Sequence, residues 1–461
     1  MTALSRRLPF LPGAGLWLLV IGGSLFAGVG LAGGDTRAAM LTPLLGAAAA
    51  FVIALSLPVE WVFLGWLFFA PFLQDSLFGA PIVSPLQLAL YQAPPLVLLL
   101  WTLHRRGDGM RGRWYDVLPA VSLAYIAIAI GLSSWIGHDA ATYRALYYTV
   151  GIGIVMYYVS AFGPGRLDPE RVVRVVFSSG LVVALFALVQ AASGWSPWAD
   201  NGWALEHRVV GPLQNPAVLG TFLSAVVVLS IACFVWPVDR TTRRFAAIAV
   251  LPAFLAVALT YTRAAILAAL VFGLLIGLTK LRARLVTIGI VACAALIVAG
   301  NWGKISTTAA YQERFSNRTN VEARVLIQDW SLQLAEQRPF FGWGYSSFDE
   351  VKNAANLSPG RLPLDFGRES TSHNTFLTIL VELGLAGLTL AVLPLALIYF
   401  QIARYAKRTT RYRWFLVGIV AVFGVYVLNA TAIDMRFFSF VPALVWMFAG
   451  LGRRVMLAEE S

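Results

Sequence analysis

Long apolar runs, separated by short polar or charged segments, follow one another along most of the 461-residue chain. Each run has roughly the 20 residues that an α-helix needs to cross the hydrocarbon core of a bilayer. The short alternating segments of a membrane β-strand are not seen. We therefore predict an all-α polytopic membrane protein with about 12–14 transmembrane helices. The predicted spans cover approximately residues 14–33, 39–57, 61–74, 84–103, 117–136, 147–162, 175–193, 215–236, 245–261, 264–279, 285–300, 374–402, 415–433 and 438–452.

One segment, residues 301–373, is too polar to span and interrupts this pattern. Apolar residues at near-helical spacing predict a helix that Asn320 caps and Pro339 ends. A glycine-rich turn, "FGWGY", and a short helix near 346–356 are expected next. The stretch 356–371 lacks periodicity and contains several prolines and glycines, which is typical of a flap.

Composition and charge agree with a membrane protein and fix its expected orientation. Hydrophobic residues make up 59% of the chain, charged residues only 13%, and the mean hydropathy is +0.73. The net charge of +12 arises from alternate connections such as 104–116 and 404–413. Basic residues mark cytoplasmic connections, so both termini are predicted to be cytoplasmic. The same distribution argues against a nucleic-acid partner.

The run at 14–33 follows two arginines but is too long for a signal peptide, so we interpret it as a retained anchor. Three regions result: transmembrane helices with short loops over 1–300, a large external loop over 301–373, and further transmembrane helices with a cytoplasmic tail over 374–461.

The candidate chemistry concentrates around the large external loop. His373, one of four histidines, directly precedes a predicted span together with Asn374. Histidine is well suited to general acid–base catalysis near neutral pH, although an interfacial histidine also commonly caps a helix. The sequence contains no His, Asp, Glu or Cys spacing typical of a metal site.

Several arginines on the same side could bind an anion. Arg263 lies between two apolar runs, Arg324 lies on the predicted external helix just after Arg318, and Arg208 precedes a span. Each also has an ordinary interpretation, either snorkelling to the interface or pairing with a neighbouring carboxylate. Guanidinium groups bind phosphate in a bidentate manner, so together they would suit a pyrophosphate.

Four segments carry a resemblance to a known family. They occur in the order "RVVGPLQNPAVLG" (208–220), "TYTRAAI" (260–266), "EARVLIQDW" with "RPFFGWGYSSF" (322–348), and "HNTFLTILVELGLAGL" (373–388). This series resembles the O-antigen ligase/polymerase family of bacterial membrane proteins. The resemblance covers roughly residues 200–390.

The resemblance implies a GT-C-like, metal-independent glycosyltransferase without a cofactor, in the inner membrane of a Gram-negative bacterium. An O-antigen ligase moves a glycan from undecaprenyl pyrophosphate to lipid A–core at the periplasmic face, among membrane lipids. By this resemblance His373 is the general base and Arg263 and Arg324 hold the pyrophosphate and assist catalysis. Arg208, Arg318 and Asn374 are further substrate-binding candidates.

The motifs leave the acceptor open. The same segments occur in O-antigen polymerases and in protein O-oligosaccharyltransferases, and a membrane transporter or flippase is the alternative from a different functional class. A transporter would place ionisable residues deep in several spans, whereas here the polar residues concentrate at one face.

Overall fold

The computed structural model describes the chain as a bundle of α-helices with short connections. The described residues are 58–73, 85–104, 113–132, 150–163, 167–195, 208–279, 281–307, 311–312, 319–355 and 371–460. The helices are α1 Val59–Leu73, α2 Pro85–His104, α3 Leu118–Leu132, α4 Ile152–Phe162, α5 Pro169–Ser193, α6 Pro216–Val235, α7 Arg240–Leu259, α8 Arg263–Gly277, α9 Leu281–Gly300, α10 Trp302–Ser306, α11 Thr319–Gln337, α12 Phe348–Ala354, α13 Thr375–Ala406, α14 Arg413–Ala430 and α15 Phe440–Glu460.

The helix lengths confirm a polytopic membrane protein. Among the described residues, six helices are long and apolar enough to cross a bilayer, namely α5, α6, α7, α13, α14 and α15, and several shorter helices are also apolar. The predicted spans 14–33 and 39–57 lie outside the described residues, so the total number of spans stays a prediction. The helix predicted within 301–373 is confirmed at α11, but Asn320 lies within that helix and is not its cap. The predicted flap at 356–371 falls almost entirely outside the described residues.

The bundle has two chemically different ends. We call one the basic end, because many arginines and lysines lie there, and the other the site end. At the basic end Tyr405 and Thr409 both donate hydrogen bonds to Glu459, which joins α13 to α15. At the site end Gln190 accepts hydrogen bonds from Val210 and Gly211. The helix termini at the site end are the starts of α6, α8, α13 and α15 and the ends of α5, α7 and α14.

The last helix is longer than the apolar pattern indicates. The predicted span stops at 452, before two arginines, but α15 continues to Glu460. Arg453 is 1% exposed and is paired through Nη2 with Asp116 at 3.1 Å. Tyr157 donates a 2.5 Å hydrogen bond to the same carboxylate. A buried charge needs such a partner, and a partner so distant in sequence cannot be read from local periodicity.

Helix α6 lies at the centre of the helix bundle. Its apolar window is 94% buried, which is typical of a helix surrounded by other helices. A Cβ on Gly220 would lie 2.7 Å from the Cβ of Ala265, so glycine is what allows α8 to approach α6 closely. Ser224 also donates a hydrogen bond to the Ala265 carbonyl, at 2.9 Å. These contacts fix the start of α8, where Arg263 lies.

Candidate active site

Arg208 lies in the segment that precedes α6 and holds the turn between α7 and α8. Its Nε donates to the Thr260 carbonyl at 3.0 Å, and its Nη2 donates to the Thr262 hydroxyl at 3.2 Å. The side chain is buried, with 6% exposure. Two of its donors therefore serve the protein itself, and Arg208 is in large part a structural residue that positions the turn.

The turn that Arg208 holds presents Arg263 at the site end. Thr262 occupies the cap position of α8, and Arg263 is the first helical residue, with an exposed side chain. Tyr261 has φ 51°, a left-handed conformation that side chains other than glycine rarely adopt. The free amide groups of a helix N-terminus also favour an anion. A cation in the first turn of α8 gives this end of the helix a positive potential.

Arg324 and the start of α13 are both held by the connection between α14 and α15. Arg324 donates through Nη1 to the Ala432 carbonyl at 3.2 Å. Thr375 donates through its hydroxyl to the Ile433 carbonyl at 3.0 Å and accepts from the Met435 amide at 2.9 Å. Arg324 and the start of α13, two residues after His373, are thus held by the same short connection. Sequence reasoning assigned no role to it.

His373 lies immediately before the cap of α13. Asn374 is the cap, because its side-chain oxygen accepts from the amides of Phe376 and Leu377 at 3.0 and 3.2 Å. The helix-capping interpretation of His373 is therefore wrong. His373 has φ 55° and is half-buried, and its amide donates to the Thr371 hydroxyl at 3.2 Å. Asn374 is predicted to bind substrate, but its side-chain oxygen already accepts these two hydrogen bonds.

Helix α13 is broken at Gly384, although the sequence predicts one continuous span. Gly384 has φ 64° and ψ −167°, a conformation that essentially only glycine adopts. The loop 339–344 occupies the break. Trp343 and Gly344 donate their amides to the carbonyls of Val381 and Glu382, while Leu385 and Ala386 donate theirs to Pro339 and Phe340. The loop thereby satisfies backbone groups that a membrane helix cannot leave open.

Two glycines make this crossing possible. A Cβ on Gly384 would overlap the Phe340 carbonyl, and a Cβ on Gly342 would overlap the Glu382 carbonyl. Because neither glycine has a side chain, the backbones of "GWGY" and of α13 can approach each other closely here.

A buried cluster of charges below this loop was not predicted. Arg436 pairs with Glu382 through Nη1 at 2.6 Å and with Asp434 through Nη2 at 2.8 Å, and all three are at most 7% exposed. Glu382 also accepts from the Ser346 amide at 2.7 Å. Burial opposes the charge of Arg436, but the carboxylates of Asp434 and Glu382 outweigh it and raise its pKa well above the usual value. The cluster ties the external loop to the connection between α14 and α15.

The Glu382–Arg436–Asp434 cluster leads to an asymmetric prediction for stability. Arg436→Met would leave two buried carboxylates without their cation, and we expect it to lower the free energy of unfolding by about 3–5 kcal/mol. Glu382→Gln leaves Arg436 paired with Asp434, and we expect a smaller loss of about 1–3 kcal/mol. Denaturant unfolding of the purified variants in micelles would measure both. An equal effect of the two would contradict the cluster described here.

Left-handed backbone marks each of the four segments singled out from the sequence. In the part of the chain that the structure describes, the non-glycine residues with positive φ are Gln214, Tyr261, Ser346 and His373, with values from 51° to 65°. One lies in each segment, and each costs of the order of 1–3 kcal/mol. Such strain tends to persist at functional sites. The residues that carry the sequence resemblance therefore coincide with the strained part of the site end.

Residues 247–392 match a family model described as O-antigen ligase. The matched region covers 146 of the 461 residues. No curated protein matches the chain. The matched region includes Arg263, Arg324 and His373, whereas Arg208 precedes it. The match supports the membrane glycosyltransferase class and leaves the donor and the acceptor open.

The fold brings some candidates to shared supports. Arg208 contacts the turn of Arg263, and the connection 431–435 holds both Arg324 and the start of α13. The ring of Phe222 on α6 packs edge-on against Phe440, which follows that connection. Arg318 lies outside the described residues. Within the described ranges, no group of three His, Cys, Asp or Glu side chains could hold a metal ion.

An apolar cavity of about 150 Å³ lies beside the start of α13. It lies among α3, α4, α13, α14 and α15, and Arg436, Tyr345 and Thr375 line its polar part. Most of the remaining lining side chains are apolar, including Ile379 and Leu395. A cavity of this kind suits the chain of a lipid better than a sugar.

Proposed function

We propose that this protein is an O-antigen ligase. It would transfer a glycan from undecaprenyl pyrophosphate to the lipid A–core of lipopolysaccharide, at the periplasmic face of a bacterial inner membrane. The observation that carries the proposal is the family match, which includes His373 and two arginines of the site end. The apolar cavity lined in part by Tyr345, Thr375 and Arg436 supports a lipid-linked donor.

The charge distribution supports this orientation. The basic end carries Arg240, Arg243 and Arg244 in the first turns of α7, and Lys407, Arg408 and Arg411 in the connection between α13 and α14. Such connections remain in the cytoplasm. The site end would then face the periplasm, with the lipid-linked donor entering sideways from the outer leaflet.

The proposed reaction is a single displacement. His373 accepts the proton of an acceptor hydroxyl, whose oxygen forms a bond to the anomeric carbon of the glycan. The bond from that carbon to the pyrophosphate oxygen breaks at the same time, with inversion at the anomeric carbon. Undecaprenyl pyrophosphate leaves with the electron pair. Arg263 and Arg324 stabilise the charge that develops on it.

Metal independence is part of this proposal. The pyrophosphate is a good leaving group, and fixed guanidinium groups can supply the charge that a divalent ion supplies in other transferases. Transfer by the purified protein should therefore continue in EDTA.

A lipopolysaccharide gel from a host that lacks the gene, read beside a blot of the lipid-linked glycan, tests the function. With a ligase missing, core without O-antigen accumulates together with long polymer on the carrier lipid, and the wild-type gene restores the ladder. Core capped by a single repeat would instead indicate a polymerase. Normal lipopolysaccharide with altered transport of the carrier would indicate a transporter.

Arg263, which follows the α7–α8 turn, and Arg208, which holds that turn, are expected to differ in their effect. Arg263→Ala should lower the transfer rate by about 10²–10³-fold with little change in thermal stability, because its side chain is exposed and the charge acts on the leaving group. Arg208→Ala should lower stability by about 1.5–3 kcal/mol, because it removes two buried hydrogen bonds from a charged donor. Transfer assays and unfolding midpoints of both variants would separate these roles. Full activity of Arg263→Ala would remove it from the site.

A further inference from the structure

Two exposed phenylalanines stand in the loop that fills the break of α13. Phe340 and Phe341 are 66% and 73% exposed, unusually high for side chains of this size. Their backbone is fixed on α13, since the amide of Ala386 donates to the Phe340 carbonyl at 3.1 Å. The pair therefore projects from a rigid point of the fold.

The exposed face of α13 shows where this point lies in the membrane. Leu385, Leu393 and Phe400 are 48%, 40% and 56% exposed and fall on one side of the helix, which is expected of a face in contact with lipid. This stripe ends at the exposed Arg404. From Arg404 to Leu385 a helix rises about 29 Å, close to the roughly 30 Å of a hydrocarbon core. Leu385 therefore lies at the opposite boundary of the hydrocarbon core. The loop 339–344, which is hydrogen-bonded to this part of α13, lies at the same depth.

The first part of α13, before Gly384, cannot continue straight along the membrane normal beyond this boundary. From Ala406 to Thr375 a straight helix would measure about 47 Å, whereas α14 rises only about 26 Å from Arg413 to Ala430. Yet Thr375 is hydrogen-bonded to Ile433 and Met435, just beyond the end of α14. The break at Gly384 must therefore turn the first part of α13 across the site end.

Arg338 and Trp343 flank the two phenylalanines. The guanidinium of Arg338 lies 4.2 Å from the centre of the Trp343 ring. Arginine and tryptophan are the residues that proteins place at the membrane–water interface. Aromatic side chains between such a pair, continuous with a lipid-facing stripe, are positioned to enter the bilayer.

We infer that Phe340 and Phe341 form a wedge that inserts into the acyl-chain region of the membrane leaflet at the site end. Its partner is the lipid bilayer itself. The Pro339 and Phe340 carbonyls and the Trp343 and Gly344 amides are hydrogen-bonded to α13, which satisfies these backbone groups at this depth. This inference is independent of the proposed reaction.

Spin labels at single cysteines in the full-length protein, reconstituted into phosphatidylethanolamine–phosphatidylglycerol vesicles, test the wedge. Cys293 is exposed and is first replaced by serine, while Cys233 is buried and retained. Labels are placed at Phe341→Cys, at Leu393→Cys as the lipid-facing reference, and at Gln333→Cys, an exposed site on α11, as the aqueous reference. The measurement compares collision with oxygen, which concentrates in lipid, and with a water-soluble nickel chelate.

The label at Phe341 is expected to resemble that at Leu393, with an oxygen-to-nickel ratio several-fold higher than at Gln333. A ratio equal to that at Gln333 would overturn the inference. Phe340→Cys provides a second position if the first variant does not fold. Its label would have to show the same preference for oxygen, and a preference for the nickel chelate at both positions would exclude a wedge.

Discussion

Gly384→Ala is expected to destabilise the folded protein strongly. Alanine would have to adopt φ 64° and ψ −167°, which costs about 1–3 kcal/mol even without neighbours. Its Cβ would also overlap the Phe340 carbonyl, which is fixed by hydrogen bonds. With a further ~1–3 kcal/mol for overpacking, the total is about 2–6 kcal/mol, a large part of typical stability. The yield of monodisperse protein and the midpoint of thermal unfolding in micelles would measure the loss.

Gly65→Ala is the matched control. Gly65 lies within helix α1, and nothing lies within 4 Å of a Cβ at this position. Alanine is favoured over glycine in a helix by about 0.5–1 kcal/mol, so this variant should be at least as stable as wild type. Equal stability of both alanine variants would show that the loop does not cross α13 at Gly384.

His373→Asn is expected to reduce transfer by about 10²–10⁴-fold, the contribution typical of general base catalysis. Asparagine is chosen because it tolerates the left-handed backbone at φ 55° better than alanine does. It retains hydrogen bonding but does not accept a proton at neutral pH. The loss should therefore appear in the rate of glycan transfer by the purified protein in vesicles, with an unfolding midpoint near that of wild type.

His373→Gly separates backbone from side chain at the same position. Glycine adopts a positive φ without strain, so this variant should fold at least as well as wild type. It should still lose activity if the imidazole is the base. A normal lipopolysaccharide ladder from either variant at normal expression would exclude His373 as the base. The site end would then need another proton acceptor.

The sequence predicted the helices well, because apolar runs of this length have few alternatives. The start of α11 shows the limit: Asn320 is a plausible cap, but Thr319 already belongs to the helix. Local preference for a cap is small, and the packing of Trp330 and Leu334 against the rest of the fold determines where α11 lies.

The candidate site was only partly predictable. Arg263 and His373 could be singled out as polar residues beside apolar runs. Arg436 could not, because its significance depends on Glu382, more than fifty residues earlier, and only the folded chain brings them together. The break at Gly384 was equally hidden, since one glycine in an apolar run is ordinary until a loop is seen to cross it.

The connection between α14 and α15 has a consequence for biosynthesis. Its Ala432 and Ile433 carbonyls and its Arg436 guanidinium support Arg324, Thr375 and Glu382, all of which leave the ribosome earlier. A nascent chain that has not yet inserted its last helical hairpin thus lacks the scaffold for its own site. The order of translation would keep the incomplete protein inactive, and only the finished bundle would meet its lipid-linked substrate in working form.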